Sequence, residues 1–474
     1  MLLLAEDERR ALWERLIGAI ETYTARVEGT RVAPALDRES LRALLAPFDF
    51  ERPVSPLQAL DFAVDGLSRH QVHTPHPRYF GLFNPAPTTM GIAADAVVAA
   101  FNPQIAAWSH SPLAAEIEAH LVRAFGARFG YDPATTDGVF ASGGAEANHT
   151  ALLTAIVRAF PSFLDEGARS LARPPVFYAS AEAHHSFLKA ARSCGLGTEA
   201  VRSVAVDDDL RLDARALAGK VASDRAAGRS PFMIAATAGT TSAGAVDPLP
   251  PLVEIAEREG LWLHVDAAWG GAAALVPELA PLLDGIARAD SITFDAHKWL
   301  SVPMGAGLYL TRHPDVLERA FRVAAGYMPQ DAAGLPVVDP FAHSMQWSRR
   351  FIGLKVFLSL AVAGWEGYAE AIRHMTAMGN RLRARLHVSG WRVVNRTPLP
   401  LACFVDGRTA AGGEATHLER IARAVVASGR AWISTVRLAE RQAAIRACIT
   451  NYRTGPADVD ALVEALDQAR SEGR

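Results

Sequence analysis

Ser291-Ile-Thr-Phe-Asp-Ala-His-Lys-Trp-Leu300 is the stretch on which the reading of this chain turns. Its opening residues are β-branched and aromatic, the composition of a half- or fully buried strand, and the run ends in the polar pair His297-Lys298. Lysine is scarce: Lys189, Lys220, Lys298 and Lys355 are the four among 48 basic residues, so arginine supplies nearly all the positive charge. Lys298 therefore reads as kept for its amine, because a guanidinium holds its proton too tightly to act as a nucleophile. Leu261-Trp-Leu-His-Val-Asp-Ala-Ala-Trp269 repeats the pattern, an apolar run ending in a carboxylate, with Asp266 lying 32 residues before Lys298.

Working outward, strand and helix patterns alternate from about residue 87 to 345. Candidate strands are Gly138–Phe140, Val176–Ala179, Ser203–Ala205, Phe232–Ala236, Leu261–Val265, Ser291–Phe294 and Gly307–Leu310, with amphipathic stretches such as Leu249–Glu259 between them. This alternation predicts an α/β fold with a mostly parallel sheet covered on both faces, which binds ligands at the carboxyl ends of its strands. Residues 5–70 read as helices separated by turns containing proline. After residue 350 a long helix, from Phe351 to Tyr368 and on towards Val388, precedes strands near Trp391–Val394, Leu401–Val405, Ala431–Ser434 and Ala444–Ile449, and a helix at Pro456–Ser471. The expected organisation is a helical arm over 1–86 that serves dimerisation, a large domain over 87–350, and a small α+β domain over 351–474.

Bulk properties narrow the class. With 474 residues, half of them apolar and a net charge of −3, the chain has room for two or three domains, and lacks the basic excess of a nucleic-acid binder or polybasic membrane anchor. Cys194, Cys403 and Cys448 are scattered, which excludes a disulfide framework, makes a thiolate metal site an unfavoured reading, and fits a reduced, cytoplasmic setting. The apolar residues of Met1-Leu-Leu-Leu precede the charges, the reverse of a secretory leader.

Three further motifs sit where strands should end. In Phe140-Ala-Ser-Gly-Gly-Ala-Glu-Ala-Asn148 a strand runs through glycines into a helix, and backbone N–H groups at a helix start receive anions, with Gly144 and Ala145 the candidate phosphate contacts. Taken alone, it is as readily a plain turn capped by Ser142. Ala183-His-His-Ser186 offers His184 to stack on a flat ring, though an exposed turn histidine reads the same way. Thr237-Ala-Gly-Thr-Thr241 ends a strand in small hydroxyl residues, with Thr241 placed to hydrogen-bond a ligand. Asp266, at the end of a buried strand, is costly unless paired. A pyridinium N–H is a suitable partner, and Ala267 and Ala268 leave room for a ring. An amine, a phosphate turn and a carboxylate together are what pyridoxal phosphate requires.

These residues resemble the group II pyridoxal-phosphate-dependent amino-acid decarboxylases, which include aromatic-L-amino-acid, glutamate and cysteine-sulfinate decarboxylases. The matching motifs span nearly the whole chain: His76-Pro-Arg-Tyr-Phe80, Ser111-Pro-x-x-x-Glu-Ile-Glu118, Ser142–Asn148, Ala183–Ser186, Gly239–Thr241, His264–Ala268, His297-Lys-Trp299 and Arg349-Arg-Phe351. The resemblance implies a fold-type I transferase-like architecture, a homodimer with active sites at the interface, Lys298 as Schiff-base lysine, Asp266 at the ring nitrogen, His184 stacked on the ring, and phosphate contacts from Gly144, Ala145 and His297. It also puts Tyr327 in the role of the tyrosine that reprotonates Cα after CO₂ leaves. Relatives that make aldehydes carry Phe at that place or lose the stacking histidine, so the expected reaction is decarboxylation of an L-amino acid to its amine.

Substrate choice is read from His76-Pro-Arg-Tyr-Phe-Gly-Leu-Phe83. Leu82 stands where relatives acting on acidic substrates resemble a Gln that binds the side-chain carboxylate, and Ala106 stands where diaminobutyrate relatives carry an acid. Leu82, Phe83, Ile105 and Trp108 favour an aromatic or bulky apolar substrate, with Gln104 an additional polar group. Arg446 is a candidate for a carboxylate or phosphate, or a structural ion-pair residue. A decarboxylase of an acidic or diamino amino acid, an aldehyde synthase, a carbon–carbon lyase and a non-catalytic scaffold are the competing readings.

Overall fold

The computed structural model describes residues 2–35, 37–323, 332, 334–408 and 413–472. Strands β1 (Asp137–Ala141), β2 (Pro175–Ser180), β3 (Val201–Val204), β4 (Ser230–Thr237), β5 (Trp262–Asp266), β6 (Ser291–Asp295) and β7 (Gly307–Thr311) form one sheet in the order β1-β7-β6-β5-β4-β2-β3. Pairing is parallel from β6 through β3, and β7 runs antiparallel to both of its neighbours. Every residue of β5, β6 and β7 is buried, which explains why these segments read as unbroken apolar runs rather than alternating ones. Alternate residues feed two separate cores: Phe177 and Ala179 pack into one, Val176 and Tyr178 into the other. The mostly parallel, doubly covered sheet expected from the alternation is the observed one.

The helix Gly144–Ala159 lies on this sheet. Ala147, Ala151 and Ala155 are wholly buried along it, a stripe of small residues at four-residue spacing that lets the helix sit close to the strands. The close approach continues at its start, where a Cβ on Gly307 at the head of β7 would fall 2.7 Å from the Gly143 backbone.

A second, antiparallel sheet contains β8 (Trp391–Val393), β9 (Leu401–Asp406), β10 (Ser434–Leu438) and β11 (Gln442–Cys448), in the order β10-β11-β9-β8. The strand expected at Ala431–Ser434 begins only at Ser434. Ala431 and Ile433 before it are buried, but Trp432 between them bonds elsewhere: its N–H donates to Arg78 O, and its carbonyl accepts from Phe80 N. Phe80 O in turn accepts from Cys448 N, so the 78–80 segment rides on the small sheet. The long helix spans Gly353–Val388, but Gly364, at φ 65°, breaks its path. Helices Glu6–Arg26, Arg38–Leu45 and Pro56–His70 make up the strand-poor N-terminal part.

Ahead of the long helix, Arg349 donates to Glu118 Oε1 at 3.0 Å within a two-pronged ion pair, and the same oxygen accepts from Ile352 N and Gly353 N. Both side chains are almost fully buried. Removing one partner strands a buried charge, which costs about 3–5 kcal/mol. Arg349→Met is therefore expected to lower the urea midpoint sharply; a midpoint unchanged at equal m-value would show that the pair contributes nothing to stability.

Candidate active site

The carboxyl ends of β4, β5 and β6 lie side by side, with Thr237 opposite Asp266 and Asp266 opposite Thr293. Together with the start of helix Gly144–Ala159 they enclose a cleft lined by Gly144, Ala145, His184, Thr241, Asp266, Ala268 and Lys298. Seven residues singled out by separate sequence motifs thus meet in one place. Asn148, Thr237, Gly239, Trp269 and Asp295 also line it.

Lys298 follows β6 by one turn, its N–H donating to Asp295 O, and its Nζ lies 3.0 Å from Asp295 Oδ2. Asp295 is 1% exposed, and its Oδ1 has no hydrogen-bond partner. A Cβ on Gly144 would fall 2.8 Å from Asp295 Oδ2, so only glycine lets the helix start come this close. The sequence pattern did not single out Asp295, although it too is a carboxylate ending a buried run, the signal that picked out Asp266.

Asp266 accepts from Asn148 Nδ2 at 2.8 Å through Oδ2, and from Ala268 N at 3.1 Å through Oδ1. His184 Nδ1 accepts from Ser186 N, which leaves Nε2 to carry the proton of the neutral ring. Burial lowers the His184 pKa, opposed by Asp266. His297 does not line the cleft; it lies behind the glycine turn, near Gly143, with Nδ1 accepting from Ala306 N, and burial lowers its pKa as well.

Beyond the lysine, Phe83 is buried and stacked on Trp269, ring centroids 4.6 Å apart. Two cations face it: Lys298 Nζ at 5.7 Å and Arg446 Cζ at 5.0 Å from the ring centre. Arg446, on β11, donates to Thr241 O and Gly81 O. Its Nη2 is buried without a hydrogen-bond partner, and its other bonds go to neutral carbonyls. A structural ion-pair role for Arg446 is thus not what the geometry displays. Leu82 is half exposed. Gln104 and Trp108 are not brought to this cleft: Gln104 bonds Ser348 and His110, and Trp108 donates to Glu116. Tyr327 lies outside the described residues. Among the described residues no cluster of His, Cys, Asp or Glu is suited to a metal ion, and no helix is long and apolar enough to cross a membrane.

Residues 42–405 match the family described as "Pyridoxal-dependent decarboxylase conserved domain". The chain is 30% identical to the aromatic-L-amino-acid decarboxylase of Bacillus atrophaeus over 459 residues, 96% of this chain and 93% of that one. It is 32% identical to the cysteine sulfinic acid decarboxylase of Rattus norvegicus, over 71% of this chain and 68% of the relative. The crystal structure of mouse CSAD superposes with a TM-score of 0.91 at 26% identity, covering 98% of this chain and 99% of that one. The amine, the glycine turn and the strand-end carboxylate that converge here belong to a sequence matched over most of its length, and the chain is a member of the pyridoxal-dependent decarboxylase family, an amino-acid carboxy-lyase whose cofactor is pyridoxal phosphate.

Proposed function

We propose that the protein decarboxylates an aromatic or bulky apolar L-amino acid to its amine. The observation that carries the substrate class is the Phe83–Trp269 stack beside Lys298, with the spare Nη2 of Arg446 at its edge. An apolar aromatic wall receives the side chain, and the guanidinium receives the α-carboxylate, satisfying a donor that is otherwise buried and unmet.

The cleft fits pyridoxal phosphate on its own chemistry. Gly144 and Ala145 open a helix, so their N–H groups have no acceptor within it and suit a phosphate. Asp266 offers the ring nitrogen an acceptor, His184 a ring face, Thr241 a hydrogen-bonding edge and Ala268 a small floor, with His297 behind the phosphate turn. When bound, the cofactor supplies the electron sink for the bond to the departing carboxylate. Lys298 would hold the cofactor through its amine, Asp266 would accept from the ring nitrogen, His184 would cover the ring face and exclude water, and Tyr327 would deliver the proton to Cα of the substrate.

We infer also that the chain works as a homodimer. Exposed apolar side chains support this: Phe101 is 82% exposed, Leu113 75% and Val362 70%. In that arrangement residues 1–86 form the dimerising arm, 87–350 the cofactor domain and 351–474 the small domain. The three free cysteines suit a cytoplasmic setting.

A panel of L-amino acids, scored for CO₂, amine, aldehyde and peroxide, tests the reading. Amine and CO₂ in equal amounts from an aromatic substrate are expected; aldehyde with stoichiometric peroxide as main product would refute it. Tyr327→Phe is expected to slow amine formation by about 10²-fold or more and to divert flux to aldehyde. Unchanged amine turnover removes Tyr327 from the mechanism.

A further inference from the structure

Behind Asp266 lies a row of buried polar groups that no step above uses. Trp262 Nε1 donates to Ser291 Oγ at 2.9 Å. Ser291 Oγ is 2.9 Å from His264 Nδ1, His264 Nε2 is 3.1 Å from Asn148 Oδ1, and Asn148 Nδ2 donates to Asp266 Oδ2 at 2.8 Å. Ser291 and His264 are wholly buried, and Asn148 is 1% exposed.

The carboxylate end fixes the direction of the bonds. A carboxylate only accepts, so Asn148 turns its amide nitrogen to Asp266 and its Oδ1 to His264. An amide oxygen only accepts, so His264 carries a proton on Nε2 and donates it to Asn148 Oδ1. The neutral ring then accepts at Nδ1 from the Ser291 hydroxyl, whose oxygen accepts from Trp262. Thr293 Oγ1, 3.4 Å from His264 Nε2, is a weaker second acceptor for the same proton. Burial pushes the His264 pKa down to about 4, so the ring is neutral and its single proton is committed to this direction. Bonds aligned head to tail in a dry interior polarise and reinforce one another.

The other hydrogen of the Asn148 amide goes to Ser186 Oγ at 2.9 Å, and Ser186 N donates to His184 Nδ1. One amide thus ties together the carboxylate proposed for the ring nitrogen and the turn carrying the histidine proposed for the ring face.

We propose that Asn148, His264, Ser291 and Trp262 are positioning residues that aim the Asp266 carboxylate at the cofactor's ring nitrogen, using neutral donors only. A cation in place of this chain would compete with the pyridinium for the same carboxylate; the neutral chain fixes its orientation and leaves its charge for the ring. The proposal rests on Asp266 as partner of the ring nitrogen.

The test compares dissociation constants, measured on cofactor-free protein, for pyridoxal phosphate and for its analogue with C–H in place of the ring nitrogen. Aldehyde and phosphate are common to both, so the gap between them reads the ring-nitrogen contact alone. A hydrogen bond to a charged group predicts a gap of about 10–100-fold in the native protein. Asn148→Leu is expected to narrow it by about tenfold, and His264→Phe to narrow it as well, while His264→Gln, which keeps a donor towards Asn148, restores most of it. Equal loss of affinity for both ligands in Asn148→Leu, with the gap intact, overturns the proposal and leaves the chain a packing feature. If Asn148→Leu does not fold, Ser291→Ala at the far end decides: a smaller narrowing supports the relay and an unchanged gap overturns it. Asp266→Ala separates the two readings. A gap that survives there means Asp266 is not the ring-nitrogen partner, whereas a gap that collapses there but not in the Asn148 and Ser291 variants defeats only the relay.

Discussion

Lys298→Ala is expected to lower decarboxylation by about 10⁴-fold or more, the scale seen when an enzyme loses the group that bonds covalently. A second consequence follows from the pairing of Lys298 Nζ with Asp295 Oδ2 at 3.0 Å. Asp295 is 1% exposed and its other oxygen already lacks a partner, so alanine at 298 leaves a buried carboxylate with neither oxygen paired to a cation. Because about a fifth of the lysine side chain remains exposed, the cost to the cofactor-free protein is about 2 kcal/mol, below that of a fully buried pair. Lys298→Arg divides the two effects. It restores a cation beside Asp295 but no usable amine, so urea stability should recover while turnover stays lost. Appreciable turnover in either variant contradicts the covalent role; equal stability of the alanine variant and the native protein contradicts the importance of the ion pair.

The second large effect belongs to Asp266. With alanine there, the ring nitrogen would lose the acceptor proposed for it, and the Asn148 amide loses one of its two. The electron sink weakens at the point where negative charge develops, and kcat at saturating cofactor should fall by about 10³-fold. Asp266→Asn keeps the shape but replaces an acceptor oxygen with a donor, or with a weaker neutral acceptor, and should fall nearly as far. A kcat within tenfold of native in both variants would mean that the carboxylate is structural.

Lys298, Asp266, Gly144, His184 and Thr241 were legible because each stands at the boundary of a buried apolar run. A parallel sheet brings all such boundaries to one edge, so local pattern predicts a shared cleft without knowledge of any contact. What escaped depends on partners distant in sequence. Asn148 lies inside a quoted motif, yet its role emerges only from His264, 116 residues away. Trp432 has the apolar neighbours of a strand, but its backbone bonds go to the 78–80 segment, which pattern alone does not reveal. Gly364 interrupts a helix by its dihedral angles, while the apolar periodicity runs on past it. Gln104 and Trp108 read as pocket residues from their motif, but their bonds go to Ser348, His110 and Glu116, partners that the motif does not reveal.

The threading of the 78–80 segment along the small sheet has an evolutionary consequence. Lys298, Asp266 and the glycine turn are mounted on the large sheet, whereas Arg446 sits on β11 and Phe83 lies just beyond a segment bonded to Trp432 and Cys448. Of the wall proposed to select the substrate, Trp269 shares its support with Lys298 and Asp266, while Phe83 and Arg446 are carried by the small sheet. Changes in the small sheet can therefore alter one side of that wall while the strand ends bearing Lys298 and Asp266 stay in place, a division of inheritance suited to a lineage whose members are as different as an aromatic-L-amino-acid decarboxylase and a cysteine sulfinic acid decarboxylase.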